Sequence, residues 1–149
     1  MHQAGRGRDE AASQRYAELR EKSRAKITPF IDDMAAALAD ADLVIGRAGA
    51  SAVAELCAVG RPSILIPFPF AADDHQRRNA EALAEEGAAV CLTQNDASKE
   101  RVLEEVVSLA KDAEKRRKMA DLARKRGQPD AAKTIARDML AAPSGGANV

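Results

Sequence analysis

Cysteine is scarce in this sequence of 149 residues, which contains only Cys57 and Cys91. The first lies in a predicted helix and the second in a predicted strand, and their spacing is not that of metal ligands. We interpret both as small apolar core residues, which suits a reducing cytoplasm. A hydrophobic content of 46% allows one domain to form a core without disulfides or metal.

An excess of one charge sign is also absent, because 23 basic and 23 acidic residues give a net charge of zero. No overall electrostatic field would therefore attract the chain to nucleic acid or to an anionic membrane. We predict no nucleic-acid partner, and any other partner has to be recognised through local contacts.

Long apolar runs are missing as well. No stretch is long enough to cross a bilayer, and charged residues stand where a signal peptide would have its apolar segment. We expect a cytoplasmic location, with at most peripheral contact with the cytoplasmic face of the membrane.

Short apolar runs that alternate with longer helical patterns indicate the fold class. The second and third runs have almost no polar alternation, which predicts strands buried on both faces of a parallel sheet. We expect an α/β fold with one partial doubly wound sheet, helices on both faces, over residues 1–142, and a disordered tail over residues 143–149. The predicted strands are Lys26–Phe30, Leu43–Ile45, Ser63–Pro67 and Ala88–Leu92.

The number of strands is low for this architecture. A doubly wound domain usually has about five or six strands, whereas three good strands and a short fourth are predicted here. Because the chain enters its first predicted helix soon after Met1, we expect that N-terminal strands of the domain are missing.

Capping residues mark the predicted helix ends. Gly60 and Gly87 each follow a helical pattern and precede a strand, as expected of left-handed C-terminal caps. Gly127 and Pro129 are expected to end a strongly basic helix, and a last helix is predicted over about residues 130–140. The predicted N-terminal caps are Asp9, Asp32 or Asp33, Ser98 and Asp112.

The loop after the second predicted strand has the chemistry of a phosphate site. Gly49 lets backbone approach a ligand, and the free N–H groups at the start of a helix from about Ala52 suit a pyrophosphate. Glu55 follows one turn after Ser51 and could accept hydrogen bonds from two vicinal hydroxyls. The alternatives are ordinary turn chemistry at the glycine and a solvated surface glutamate. Arg47 could bind phosphate or pair with a carboxylate.

The loop after the third predicted strand gathers neutral hydrogen-bonding side chains. Asp73 and Asp74 can cap the next helix, whose first turn carries His75, Gln76 and Asn79. Donors and acceptors grouped in this way suit sugar hydroxyls, and the alternative is a capped surface helix. No activated nucleophile or paired acid accompanies His75, and we predict no metal site.

At these two loops the sequence resembles the MurG family of glycosyltransferases, which add N-acetylglucosamine to a lipid-linked muramyl-pentapeptide. The resemblance covers nearly all of the chain, and several rare strings occur in one order. The matching strings are His2-Gln3, Phe30-Ile31-Asp32-Asp33-Met34, Ala41-Asp42-Leu43-Val44-Ile45, Arg47-Ala48-Gly49-Ala50, Glu55-Leu56, Gly60-Arg61-Pro62, Ile66-Pro67, Asp73-Asp74-His75-Gln76, Asn79-Ala80, Gly87-Ala88-Ala89 and Pro129-Asp130-Ala131.

The resemblance implies a C-terminal, Rossmann-like domain of a two-domain GT-B enzyme, which binds the donor UDP-N-acetylglucosamine. It implies that the Ile31 backbone meets the uracil, that Glu55 binds the ribose hydroxyls, and that Gln76 with His75 or Asn79 surrounds the sugar. The N–H groups that it places around the diphosphate belong to the segment Gly49, Ala50, Ser51, Ala52, Val53 and Ala54.

The sequence departs from the family in two ways. Ala52 stands where family members usually have threonine, so one hydroxyl contact near the phosphates is lost. The resemblance also implies that the N-terminal acceptor domain and the first strands of the donor domain are missing, so no catalytic residue is assigned. It implies no metal or other cofactor, because a helix dipole and polar groups would stabilise the departing nucleotide diphosphate. The resemblance implies an inverting transfer to a lipid-linked acceptor that is reached only through the missing acceptor domain or a separate membrane-associated subunit. The alternatives are a soluble donor-binding subunit of a split enzyme and a non-catalytic UDP-sugar-binding relic.

Overall fold

The computed structural model describes residues 1–19 and 24–141 and divides the chain into two compact units, Met1–Asp40 and Ala41–Val149. The tail predicted over residues 143–149 lies outside the described residues. The strands belong to two parallel sheets, one of two strands and one of three. The prediction of one sheet was therefore wrong, because strand pairing is a long-range choice that the local apolar pattern does not encode.

The first unit contains strands β1 (His2–Gln3) and β2 (Ile27–Thr28) and helices α1 (Asp9–Ala17) and α2 (Met34–Asp40). The two strands pair in parallel, with His2 opposite Ile27 and Gln3 opposite Thr28. Strand β1 was not predicted, because two exposed residues make no apolar run. The first helix begins at Asp9 after Arg8, so Asp9 is not its cap. Asp33 does cap α2, since its carboxylate accepts from the Ala36 N–H at 2.8 Å.

The second unit alternates strands and helices: β3 (Val44–Gly46), α3 (Ala50–Val59), β4 (Ser63–Leu65), α4 (His75–Glu85), β5 (Val90–Cys91), α5 (Lys99–Lys111), α6 (Ala113–Arg126) and α7 (Ala131–Ala141). The strands lie side by side in the order β3-β4-β5, and all are parallel. This arrangement is the expected consequence of βαβ connections through α3 and α4. It places the carboxyl ends of β3, β4 and β5 along one edge of the sheet.

The core of this unit is centred on β4, every residue of which is buried. Ile64 is fully buried and clusters with Leu92, Leu109 and Met119 from β5's end, α5 and α6. The prediction of burial on both faces is thus confirmed for β4. It was wrong for β3, where Ile45 is 49% exposed, because β3 pairs only with β4 among the described strands.

The predicted caps of this unit are largely confirmed. Gly60 and Gly87 have φ of 68° and 74°, the left-handed conformation that a glycine adopts most readily. Ser98 and Asp112 accept hydrogen bonds from the N–H groups of Arg101 and Lys115 at 3.1 and 2.8 Å, and so open α5 and α6.

Close contact between α3 and the end of α6 depends on Gly127. This residue ends α6 with an extended rather than a left-handed backbone. A Cβ at position 127 would lie 2.7 Å from the Cys57 carbonyl oxygen, which is closer than a Cβ atom comes to other heavy atoms. The glycine therefore lets the end of α6 lie directly on α3, the helix that carries Glu55.

Candidate functional site

The N-terminus of α3 is open to a ligand. The helix begins at Ala50, two residues earlier than predicted, and Gly49 precedes it in an extended conformation with no side-chain cap. The first-turn N–H groups of Ala50, Ser51 and Ala52 have no carbonyl one turn earlier to bind. The Val53 N–H donates to the Gly49 carbonyl at 2.9 Å, so its inclusion among the free N–H groups was wrong, and Ala54 likewise lies inside the helix.

Glu55 lies on the exposed face of α3, one turn after Ser51. Its neighbours Leu56 and Cys57 form the buried face, and burial raises the pKa of the Cys57 thiol, which is the behaviour of a core residue. Within residues 1–19 and 24–141, no side chain forms an ion pair or hydrogen bond with the Glu55 carboxylate. This carboxylate is therefore available to a ligand at the same end of the sheet as the open N–H groups.

Asn79 joins α4 to the turn before α3. Its amide nitrogen donates to the carbonyl oxygen of Ala48 at 3.1 Å, across 31 residues of sequence. Because that contact uses the amide N–H group, the Asn79 carbonyl oxygen remains as an acceptor with no partner in the described part of the chain. The structure thus brings together Asn79 and the Gly49 turn, which sequence placed on separate loops.

Gln76 and His75 are held by the loop that follows β4. The side-chain oxygen of Gln76 accepts from the Phe68 N–H at 3.1 Å, which leaves its NH2 group as a donor. The His75 Nδ1 atom lies 2.7 Å from the Ala72 carbonyl oxygen, and the ring is exposed. The donor on Gln76 and the acceptor on Asn79 have no partner within residues 1–19 and 24–141. They lie one turn apart on α4 and match the needs of sugar hydroxyls.

The sequence predicted that Asp73 and Asp74 cap α4 through their side chains. This prediction was wrong, because neither side chain makes a capping hydrogen bond. Asp73 and Asp74 both adopt left-handed conformations, with φ of 49° and 56°. In this turn the carboxylates do not bind the N–H groups at the start of α4. The carboxylate of Asp74 lies 3.9 Å from the Arg77 guanidinium instead. Consecutive left-handed residues other than glycine are strained, and such strain concentrates at functional sites.

Among the described residues Arg47 has no carboxylate partner, which was one of the two partners that the sequence left open. Its Nη1 atom donates to the carbonyl oxygens of Ile66 and Pro67, at 3.1 Å each, and to Oε1 of Gln94 at 2.9 Å. The guanidinium also lies 5.7 Å from the centre of the Phe68 ring. Gln94 was not among the predicted site residues, although its position shortly after β5 places it at the carboxyl end of a strand.

Ile31 belongs to the first unit, and its backbone N–H is already bound. It donates to the side-chain oxygen of Gln3 at 2.9 Å. Sequence reasoning missed this role of Gln3, because a single amide side chain in a short strand carries no pattern.

A cavity of about 240 Å³ opens at the ends of β4 and β5. Its lining combines prolines with polar side chains: Pro67, Phe68, Pro69, Asp74, Arg77, Thr93, Gln94 and Asn95. None of these residues is a predicted ligand residue. Two of them contact residues discussed above: Phe68 donates to Gln76, and Gln94 accepts from Arg47.

Within residues 1–19 and 24–141, no group of three or more His, Cys, Asp or Glu side chains has the arrangement of a metal site. No helix in these ranges has the length and apolar character needed to cross a membrane.

Known proteins that resemble this chain are glycosyltransferases. Residues 1–135 match the glycosyltransferase family 28 C-terminal domain. The UDP-N-acetylglucosamine--N-acetylmuramyl-(pentapeptide) pyrophosphoryl-undecaprenol N-acetylglucosamine transferase of Sorangium cellulosum (strain So ce56) is 54% identical over 140 residues. That match covers 94% of this chain and 35% of the relative, so the chain spans about a third of the relative's length.

The solved structures with a similar fold are also glycosyltransferases. The crystal structure of Acinetobacter baumannii MurG has a TM-score of 0.81 at 35% identity, over 91% of this chain and 39% of that one. The glycotransferase of kitacinnamycin has a TM-score of 0.57 at 25% identity, over 83% of this chain and 33% of that one. The fold is the Rossmann-like C-terminal domain of a GT-B glycosyltransferase, as predicted. The chain therefore belongs to glycosyltransferase family 28, whose C-terminal domain it matches over residues 1–135.

Proposed function

We propose that this chain is the donor-binding portion of an inverting N-acetylglucosaminyltransferase and that it holds UDP-N-acetylglucosamine at the carboxyl ends of β3 and β4. One observation carries the proposal: the uncapped N-terminus of α3 stands beside a side chain, Asn79, that is bound to the preceding turn. The Glu55 carboxylate, which has no partner among the described residues, lies one helical turn further on. Phosphate, ribose and sugar each have a matching group within this short stretch.

The diphosphate would be bound by the N–H groups of Ala50, Ser51 and Ala52. These groups point out of the helix end, where the aligned peptide dipoles place positive partial charge. In the transfer reaction, negative charge builds up on the departing UDP as the acceptor hydroxyl attacks the anomeric carbon. A preorganised helix end stabilises that charge without rearranging, and this is the chemical contribution we assign to α3.

Glu55 would accept hydrogen bonds from the ribose hydroxyls, which are two donors on adjacent carbons. The hexose would lie against α4, where the NH2 group of Gln76 donates and the carbonyl oxygen of Asn79 accepts. His75 is exposed beside them and would complete the group around the sugar. Ala52 offers its N–H but no hydroxyl, so its contribution is limited to the backbone.

The uracil would meet the backbone of Ile31. Since the Ile31 N–H donates to Gln3, a uracil carbonyl that uses this N–H has to displace the Gln3 side chain. We infer that the Gln3 side-chain oxygen accepts from the Ile31 N–H until the base arrives.

The acceptor in this proposal is a lipid-linked peptidoglycan precursor, presented by an acceptor domain or by a separate membrane-associated subunit. Within the proposal the chain acts in the cytoplasm, at the inner face of the membrane where that partner lies. We assign no catalytic residue to the chain, because the base that activates the acceptor hydroxyl belongs to that partner.

Amide chemical shifts of the isotope-labelled chain test where the diphosphate binds. We expect UDP to shift the resonances of Ala50, Ser51 and Ala52 most strongly, and uridine, which has no phosphate, to shift them little. The start of α5 is a matched control, because Ser98 caps it. Equal shifts at Lys99 and Glu100 would reveal nonspecific anion binding and contradict the proposal, as would no shift in α3.

A further inference from the structure

Arg47 links three loops through one nitrogen atom. Its Nη1 atom donates to two consecutive carbonyl oxygens after β4, at Ile66 and Pro67, and to the side chain of Gln94 after β5. These partners lie 19, 20 and 47 residues away in sequence. A single side chain therefore holds the ends of β3, β4 and β5 in fixed relation.

The partners of Arg47 are themselves restrained. Pro67 and Pro69 fix φ on either side of Phe68, whose ring lies 5.7 Å from the guanidinium. The Phe68 N–H is bound by Gln76, one of the proposed sugar contacts. The guanidinium thus rests on a stiff loop that also orients α4.

Only Ala48 and Gly49 separate Arg47 from the first residue of α3. Ala48 is fully buried, and its carbonyl accepts from Asn79. The turn that aims the Ala50, Ser51 and Ala52 N–H groups is therefore anchored at two adjacent residues. One anchor is the Arg47 side chain and the other is the Ala48 backbone.

We propose that Arg47 is a positioning residue for the diphosphate: by tying the turn before α3 to the loops after β4 and β5, it sets the direction of the α3 N–H groups. This inference rests on the proposed donor site. Three protein acceptors share the two hydrogens of the Nη1 atom, so this nitrogen has none to offer a phosphate. The Nε and Nη2 groups are further donors of the same side chain, and the variants below separate positioning from a direct phosphate contact through them. Arg47 acts through the turn, and Gln94 acts through Arg47.

Lysine cannot replace arginine in this role. It keeps the positive charge but loses the planar fork that bonds several acceptors at once and stacks on a ring. We expect Arg47→Lys to weaken UDP binding about tenfold. Uridine binding should not change, because uridine has no diphosphate to place.

Gln94→Ala separates positioning from direct contact, because it removes a partner of Arg47 and leaves the guanidinium in place. It should weaken UDP binding about threefold. The double variant, which combines Arg47→Lys with Gln94→Ala, should bind UDP no more weakly than Arg47→Lys alone. Asn95→Ala, at a neighbouring position that lines the same cavity, is the matched control and should bind UDP like the original chain.

The experiment measures UDP and uridine affinities of the four variants and the original chain by calorimetry or by amide shifts, together with their thermal midpoints. Equal losses for UDP and uridine would mean that Arg47 only supports folding, and would overturn the proposal. A loss of UDP binding in Arg47→Lys with none in Gln94→Ala would indicate direct phosphate contact and would also overturn it. Failure of the original chain to bind UDP would instead refute the proposed function.

Discussion

Replacing Ile64 with alanine is expected to lower the free energy of unfolding by about 2–5 kcal/mol, the usual cost of a large-to-small change in a core. The side chain is fully buried at the centre of the sheet, against Leu92, Leu109 and Met119. Strands on both sides of β4 fix its position, so the surroundings cannot collapse into the space left by the missing methyl groups.

Urea or thermal unfolding followed by circular dichroism measures this effect. Ile64→Val is the matched control, because it removes one methylene and should cost only about 0.5–1.5 kcal/mol. The control also remains informative if the alanine variant does not fold, since a small domain has a total stability of only about 5–15 kcal/mol. An alanine variant as stable as the valine variant would contradict the assignment of β4 as the centre of the core.

Replacing Glu55 with alanine is expected to weaken binding of UDP-N-acetylglucosamine by about 10- to 100-fold. Hydrogen bonds to a charged group contribute about 1.5–3 kcal/mol, and about 1.4 kcal/mol corresponds to a factor of ten. The exposed carboxylate has no partner in the described part of the chain, so the change should leave the thermal midpoint of the free protein nearly unaltered.

Two variants make this experiment specific. Glu100→Ala removes an exposed glutamate from the first turn of α5 and should bind the donor like the original chain. Glu55→Gln keeps an acceptor oxygen without the charge and should fall between the original chain and the alanine variant. If Glu55→Ala binds the donor with unchanged affinity, the carboxylate does not contact the ribose.

The features that were predictable from sequence are those with a local signature. The left-handed glycines Gly60 and Gly87 follow helical patterns, and the buried run at β4 has no polar alternation. The caps at Ser98 and Asp112 precede amphipathic stretches. In each case the residue type and the conformation are joined by short-range sterics or hydrogen bonds, so a few neighbouring residues are sufficient for the prediction.

The features that were missed depend on contacts between distant segments. Strand β1 has two residues, and only its pairing with Ile27 and Thr28 makes it a strand. Ile45 is apolar but exposed, because exposure follows from the position of β3 in the sheet. The carbonyl oxygens that bind Arg47 belong to the backbone, which every residue has, so no sequence pattern could reveal them.

The candidate site shows the same division. Loops at the carboxyl ends of parallel strands were predicted from topology alone, and the structure brings Asn79 to the turn before α3. The free N–H groups were predicted too broadly, since the helix begins at Ala50 and the Val53 N–H is used within it. A boundary error of two residues therefore changes which backbone groups can serve a ligand.

Calorimetric titration of the unmodified chain with UDP-N-acetylglucosamine tests the donor-site proposal most directly, with UDP-glucose titrated in parallel. We predict saturable binding with one site per chain and a preference for the N-acetylated sugar, because the diphosphate, ribose and hexose each have a contact in the second unit. Absence of binding by a chain that unfolds cooperatively would contradict the proposal that these residues form a donor site.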